Sequence, residues 1–278
     1  MTTKPTGNEN TLDLADVLRF TQEMVTEAAA RAESLIRSGP CVSLKADGTL
    51  VTNVDQTLET FFREAIGARY PGHAILGEEF GADAAVADPN VPLWALDPID
   101  GTTNLAHGLP TWAISVGLIV GDAPAVGVVA APHLGETFAG ARGLGATLND
   151  VPLPALAPGG PTGWEDAYAI CSTSARTLDF SGLPCRLRIL GSAALDVCYV
   201  AAGRLSGCHC FAVSLYDVAA ALVVSNEVGA EARWLSGEAF SPREHARLGS
   251  RPDAALAVAP PATLAFVRER IGLNRPSK

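Results

Sequence analysis

Positive charge is scarce in this 278-residue chain: 20 Lys and Arg stand against 30 Asp and Glu, for a net charge of −10. Such a surface repels a polyanion on average, and no basic stripe interrupts it, so nucleic acid is not an expected partner. Long apolar runs are also missing. The stretch Ala113–Val120 is too short to cross a bilayer and carries Ser and Gly, so no membrane partner is expected either. The first residues, MTTKPTGNEN, lack the apolar core of a secretory signal. The six cysteines (Cys41, Cys171, Cys185, Cys198, Cys208 and Cys210) form no evident framework and read as reduced, mostly buried thiols in a cytoplasmic protein. With 48% hydrophobic and only 18% charged residues, the chain has ample material for one large core.

The pattern along the chain is that of an α/β protein. Residues 1–10 are expected to be a disordered tail, and 11–275 a single domain. Helical spacing of Leu14, Val17, Leu18, Met24, Val25, Ala28, Ala32 and Leu35 predicts a helix over 11–37, capped by Thr11 or Asp13 and ended by Gly39-Pro40. A hairpin is expected to turn at Ala46-Asp47-Gly48, before a second helix over 55–70 that stops at Pro71-Gly72. Strands are predicted at 93–97, 111–120, 124–131 and 136–140, with a turn at Asn149-Asp150. The Pro- and Gly-rich segment PALAPGGPTG, 154–163, divides the halves 11–153 and 164–275. Beyond it, strand-like stretches at 168–172, 187–190, 208–213 and 254–259 alternate with helical ones at 192–202, 217–227 and 262–271.

Chemistry concentrates in LDPIDGTTN, 96–104, which follows a buried apolar run. Ligands of α/β proteins bind outside the carboxyl ends of strands. Asp97 and Asp100 stand there, aimed by the rigid Pro98. Two close carboxylates are costly unless a cation shares them, and oxygen donors without His or Cys favour a hard ion such as Mg²⁺. If a short helix begins at Gly101, Asp100 caps it and its free N–H groups suit a phosphate. The plainer reading is that Asp-Pro-x-Asp-Gly is simply a good turn. Other acids stand at element ends. Glu78 and Glu79 follow a strand-like run, Asp55 opens the second helix, and Asp217 opens a later one. Singly, Asp55 and Asp217 read as helix caps and the glutamates as a solvated face. Together they could surround two or three divalent ions.

The motifs SLKADGTLVTNVD (43–55), GEE (77–79), DPIDGTTN (97–104), GSAALDVCYVAAGRL (191–205) and LYDVAA (215–220) occur in this order. Their combination resembles the inositol monophosphatase family along nearly the whole chain. The resemblance implies a layered αβαβα sandwich of the inositol monophosphatase/fructose-bisphosphatase type. It implies a Mg²⁺-dependent, lithium-inhibited phosphomonoesterase, commonly a homodimer, that hydrolyses a small phosphorylated polyol or sugar with metal-activated water. The half 11–153 would carry the metal site and 164–275 the substrate side. Carried over by motif, Glu78, Asp97 and the Ile99 carbonyl would bind one ion, and Asp97, Asp100 and Asp217 a second. Asp55 and Thr102 would orient and deprotonate the attacking water, and Glu78 would also serve a third ion. Lys45 matches a lysine beside the metal loop. Gly101, Thr102 and Thr103 would meet the phosphate; Gly191, Ser192 and Ala193 would contact the substrate alcohol.

The chain departs from the family where its inositol enzymes carry a substrate-binding glutamate: seven residues before Asp217 stands Cys210. A thiol does not accept hydroxyl hydrogen bonds as a carboxylate does, so the true substrate stays open. Histidinol phosphate, fructose 1,6-bisphosphate and adenosine 3′,5′-bisphosphate are cleaved by relatives in the superfamily, and Thr103 leans towards the inositol and sugar branch. A non-catalytic binding or regulatory protein on this fold is the alternative from another class. Cys208-His209-Cys210 lacks the spacing of a structural zinc site; in a strand the two thiols share a face and His209 points away.

Overall fold

The computed structural model describes residues 12–39, 41–45, 48–161, 163–249 and 254–273. The expected tail 1–10, the Thr11 cap, Pro40, the hairpin tip Ala46-Asp47 and the last residues of the expected domain lie outside them. The first half runs α1 (Leu14–Arg37), β1 (Val42–Leu44), β2 (Leu50–Thr52), α2 (Asn53–Arg69), β3 (Ala74–Gly77), β4 (Gly81–Ala82), β5 (Leu93–Asp100), α3 (Thr102–Ala106), β6 (Ala113–Val120), β7 (Ala123–Ala131), β8 (Glu136–Ala141), β9 (Gly145–Leu148) and β10 (Val151–Pro152). The second half runs β11 (Ala167–Ile170), α4 (Ser172–Thr177), β12 (Leu178–Asp179), β13 (Arg186–Arg188), α5 (Ala193–Ala201), β14 (Cys208–Phe211), α6 (Leu215–Glu227), β15 (Glu231–Trp234), α7 (Pro242–Leu248), β16 (Ala255–Ala259), α8 (Pro261–Arg268) and β17 (Gly272–Leu273).

An eight-stranded sheet has the order β10-β9-β8-β7-β6-β5-β3-β4, and a five-stranded sheet the order β13-β11-β14-β16-β15. Helices α1 and α2 cover the outer face of the large sheet with Val17, Met24, Val25, Ala28, Leu58, Phe62 and Ile66. Helices α5 and α6 lie between the sheets, and α4 and α8 pack on the far face of the small one. The result is the expected αβαβα sandwich. Asp13 caps α1 by accepting from the N–H groups of Ala15 and Asp16. Asn149 and Asp150 turn the β9–β10 hairpin with positive φ of 49° and 63°, a conformation that Asn and Asp tolerate.

Three predicted details change. Helix α2 starts at Asn53 and α6 at Leu215, because Thr52 and Ser214 are the caps. Asp55 and Asp217 sit at the third helical position and complete capping boxes by accepting from the cap N–H, at 2.9 and 2.7 Å. Residue 172 belongs to α4 rather than to a strand, since Cys171 caps a helix there. Helix α7 and strand β15 give no strong periodic signal; α7 is organised by Ser241 at its cap and Pro242 in its first turn.

Helix α6 reaches the large sheet over a row of glycines. Gly117, Gly127 and Gly140 are directly paired across β6, β7 and β8. A Cβ on Gly127 would lie 2.1 Å from the Ala220 carbonyl oxygen, and one on Gly117 2.7 Å from the Ala220 nitrogen. The helix meets Gly117 and Gly127 with Ala219 and Ala220, and Gly140 with Val224, all three fully buried. Backbone-to-backbone packing is possible only because both surfaces are small, and it sets where Asp217 stands. Gly127→Ala should therefore cost about 1–3 kcal/mol through overpacking, read as a lower urea midpoint; an unchanged midpoint would contradict this seating of α6.

Candidate active site

The C-terminal end of β5, the start of α3, the turn after β3, the start of α5 and the first turn of α6 meet around one cavity of about 450 Å³. Glu78, Asp97, Asp100 and Asp217 line it, together with Ile99, Gly101, Thr102, Thr103, Gly191 and Ala193. Residues 48–50 of the β1–β2 hairpin form another wall. Strand β5 is buried along its whole length, and its pairing with β6 shifts register between Asp97 and Asp100. That irregularity lets both carboxylates reach the same cavity from one strand end.

Each acid is held by specific donors. Asp97 accepts from the Ile99 N–H at 3.1 Å. Asp100 accepts from the Ser192 hydroxyl and the Ala194 N–H, both at 2.6 Å. It therefore serves the start of α5 and does not cap α3 as expected; the α3 cap is Gly101, with φ of 99° and no side-chain bond. A left-handed residue at that turn suits glycine. Asp55 lies behind the cavity wall, fully buried, and accepts from the Thr52 hydroxyl at 2.5 Å and the Thr102 hydroxyl at 3.1 Å. The Thr102 hydroxyl also stands 3.0 Å from the Ile99 carbonyl. Lys45 pairs with Glu78 at 2.9 Å and Glu79 at 2.6 Å.

Charge in this cavity is uncompensated. Burial raises Asp97 well above the usual carboxylate range, and the charges of Glu78, Asp100 and Asp217 raise it further. Asp217 is raised by burial and then by Asp100. Burial pushes Asp100 up to about 6 against the pull of its Ser192 and Ala194 donors. Burial likewise raises Asp55, opposed by Thr52. Burial alone would lower Lys45, but Glu79 and Glu78 overcome it and keep the ammonium firmly charged. One ammonium does not balance four acids. Among the described residues no group of three or more His, Cys, Asp or Glu side chains is drawn close enough to hold an ion as it stands, as expected of like charges spread around a cavity. The donors are carboxylates and a carbonyl, all oxygen, which fits a hard divalent cation. Such a cation would relieve the repulsion that raises Asp97 and Asp217.

Two expected substrate contacts stand elsewhere. The Ser192 side chain is 2% exposed and is spent on Asp100 and the Leu195 N–H, so only its neighbours Gly191 and Ala193 line the cavity. Cys210, also 2% exposed, is packed with Cys208 in the core beneath α5 and is not part of the cavity wall. The physical reason is strand parity: β14 turns Cys208 and Cys210 to the α5 side and His209 to the other. The structure also adds Glu59 to the support of the site. Its fully buried carboxylate accepts from the N–H groups of Glu79 at 2.7 Å and Phe80 at 3.1 Å, and from Arg63. It fits beneath Gly77, where a Cβ would lie 2.0 Å from its Oε1. Glu59 thus fixes the turn that presents Glu78. The glycine before Glu78-Glu79 was the available signal.

Two outcomes follow from this geometry. Glu59→Ala leaves the part-buried N–H groups of Glu79 and Phe80 without their acceptor and opens a buried space, and should cost about 1–3 kcal/mol in urea unfolding. It should also weaken divalent-ion binding about 10–100-fold by calorimetry, with Glu59→Gln recovering part of both. Unaltered ion affinity would remove the link to Glu78. The second concerns pH. An acid with a raised folded pKa binds its proton more tightly in the native state, so its contribution falls as pH rises from the unfolded value, about 4. In chelator, thermal stability should decline between pH 5 and 8 more steeply for the parent chain than for Asp97→Asn, and the variant should melt higher at neutral pH. A variant that melts lower in chelator would contradict the repulsion.

The chain matches the model of the inositol monophosphatase family over residues 13–261. It is 37% identical over 226 residues to an inositol-1-monophosphatase of Synechocystis, covering 78% of each chain. It is 34% identical over 221 residues to inositol monophosphatase 1 of Solanum lycopersicum, covering 74% of this chain and 81% of that one. Among solved structures, an IMPase of Thermotoga maritima superposes with a TM-score of 0.77 at 25% identity, covering 91% of this chain and 96% of that one. With fold, carboxylate cavity and similarity in agreement, the chain belongs to the inositol monophosphatase family of metal-dependent phosphatases, and it is a phosphoric monoester hydrolase.

Proposed function

We propose that this enzyme hydrolyses the monophosphate of a small polyol or sugar with Mg²⁺ as its ion, two or three per site. The observation that carries this is the gathering of Glu78, Asp97, Asp100 and Asp217 around one cavity that also exposes the Gly101–Thr103 turn. Glu78, Asp97 and the Ile99 carbonyl would hold one ion, Asp97, Asp100 and Asp217 a second, and Glu78 a third. When bound, the ions supply positive charge for the ester's oxygens and acidify water. The chain's own groups do the rest. Thr102 donates to Asp55, so its oxygen is left free to take a hydrogen bond from the attacking water. Asp55 is a base raised by burial, and it receives the proton that passes through Thr102. The N–H groups of Gly101, Thr102 and Thr103 receive the phosphate, and Gly191 and Ala193 border the alcohol. Both halves, 11–153 and 164–275, contribute, so we treat 11–275 as one catalytic unit.

A homodimer is part of the same proposal. Leu109, Leu187 and Ile189 are exposed, and a second copy would give them cover. The six free cysteines suit a reducing, cytoplasmic setting. Among the described residues, no helix is long and apolar enough to cross a membrane.

Phosphate release should be measured over a panel of inositol, sugar, histidinol and nucleotide monophosphates, with Mg²⁺, with chelator and with added lithium. Turnover of a polyol or sugar phosphate that chelator abolishes and lithium reduces is expected. Asp55→Asn should lower kcat roughly 10²–10⁴-fold with an unchanged circular dichroism spectrum. Turnover that survives chelation would sink the metal-dependent reading, and a histidinol- or nucleotide-selective enzyme would sink the substrate class.

A further inference from the structure

The far face of the five-stranded sheet holds a second cavity, of about 360 Å³, that shares no residue with the carboxylate site. Its floor follows from strand register. His209 on β14 pairs with Ala257 on β16, and Ala257 pairs with Arg233 on β15. Directly paired residues share a face, so a methyl group lies between two large side chains and leaves a hollow. Leu264, Ala265 and Arg268 of α8 cover one side, and Leu235 with the Trp234 main chain the other, the indole itself being turned to the opposite face with Leu256.

His209 is fully buried at this floor, and its Nε2 has no hydrogen-bond partner among the described residues. Its Nδ1 lies 2.6 Å from the Tyr168 hydroxyl. The other acceptor open to Tyr168, the Cys208 carbonyl, is farther, at 3.3 Å. A separation of 2.6 Å suits an O–H donor better than an N–H donor, so Tyr168 donates to Nδ1 and the ring proton sits on Nε2. Burial keeps the phenol protonated and pushes His209 down to about 3, which leaves the imidazole neutral. A buried N–H donor without an acceptor is expensive.

The mouth has a different character. Arg268 lies against Gly237, whose φ is 97° and where a Cβ would sit 2.6 Å from the guanidinium. No carboxylate pairs with Arg268 among the described residues, whereas Arg233 is engaged by Glu231 at 2.8 Å. Inner donor, apolar walls and outer cation form a graded site. The geometry points to a second ligand site here, for a one-ring organic acid: an oxygen acceptor on His209, the ring against Leu235 and Leu264, and the carboxylate on Arg268. The volume is at the small end of ligand pockets, roughly 300–1,000 Å³, which limits the occupant to about this size. Entry of the acceptor requires the side chains over His209 to part slightly, since the imidazole is sealed without a ligand.

The test titrates the full-length protein with 4-acetylbenzoate, whose ketone and carboxylate stand at opposite ends of one ring. Calorimetry and the histidine side-chain ¹H–¹⁵N spectrum are the readouts. One-to-one binding that moves the His209 Nε2 signal is expected. 4-Isopropylbenzoate, of the same shape but without the acceptor, should bind about tenfold more weakly, as the loss of one hydrogen bond to a buried group implies. Arg268→Glu should weaken 4-acetylbenzoate at least as much, and Ala265→Phe, an exposed position at the mouth, should block it. Chelator should change nothing, which separates this site from the carboxylate cavity. The proposal is overturned by no saturable binding, by an unmoved His209 signal, by equal affinity for the two acids, by indifference to both substitutions, or by binding that chelator removes.

Discussion

Four carboxylates facing one cavity repel one another, and the architecture around them exists to keep them there. Burial and mutual charge raise Asp97 and Asp217, so the metal-free protein carries a built-in electrostatic cost. The chain resists relaxation with fixed donors. The Ile99 N–H holds Asp97, Ser192 and Ala194 hold Asp100, and the Ser214 N–H holds Asp217. Glu78 is held more indirectly, by Glu59 below its turn and by Lys45 beside it. The four acids therefore arrive from three places, the turn after β3, the end of β5 and the start of α6, and each is fixed by backbone or side-chain partners. Such a site is pre-organised: little conformational entropy remains to be lost when a cation and an ester arrive.

Bringing these elements together depends on how closely α6 approaches the large sheet. Asp217 lies in the first turn of α6, while Asp97 and Asp100 lie on β5. The distance between them is set by Ala219 and Ala220 resting on Gly117 and Gly127, with Val224 over Gly140. Asp100 makes a second link by accepting from Ser192 and Ala194 at the start of α5. The Asn104 amide makes a third, donating to the Leu190 carbonyl at 2.8 Å. The two halves are thus joined at the site itself, and a disturbance in either would be felt as a change in carboxylate spacing.

The carboxylate positions were legible because they coincide with strong local signals. LDPIDGTTN joins an apolar strand to a turn, and the acids at 55, 78 and 217 stand near element ends. What escaped reading depends on which way a side chain faces. Glu59 precedes Arg63 by one helical turn, the pattern of a surface ion pair, yet it is fully buried because Gly77 leaves room above it. Ser192 looked like a substrate contact, but its hydroxyl caps α5 and binds Asp100. Cys210 occupies the motif position of a substrate-binding glutamate while strand parity turns it into the core. Spacing in sequence locates a residue along an element; burial and partner choice are decided by packing that spacing does not encode.

Cys210 bears on selectivity. Apart from the acids assigned to ions, the cavity is walled by Gly48, Thr49, Leu50, Ile99, the Gly101–Thr103 turn, Gly191 and Ala193. On the proposed reading these groups serve the phosphate through backbone N–H donors, and few side chains are left to grip the alcohol. Strong discrimination between similar alcohols requires buried polar partners that are left unmatched by the wrong substrate. With Cys210 turned into the core, position 210 lends the cavity no polar group, and that penalty is small. Binding energy then comes chiefly from the phosphate, the part that all such esters share, and selectivity among small polyols is correspondingly modest.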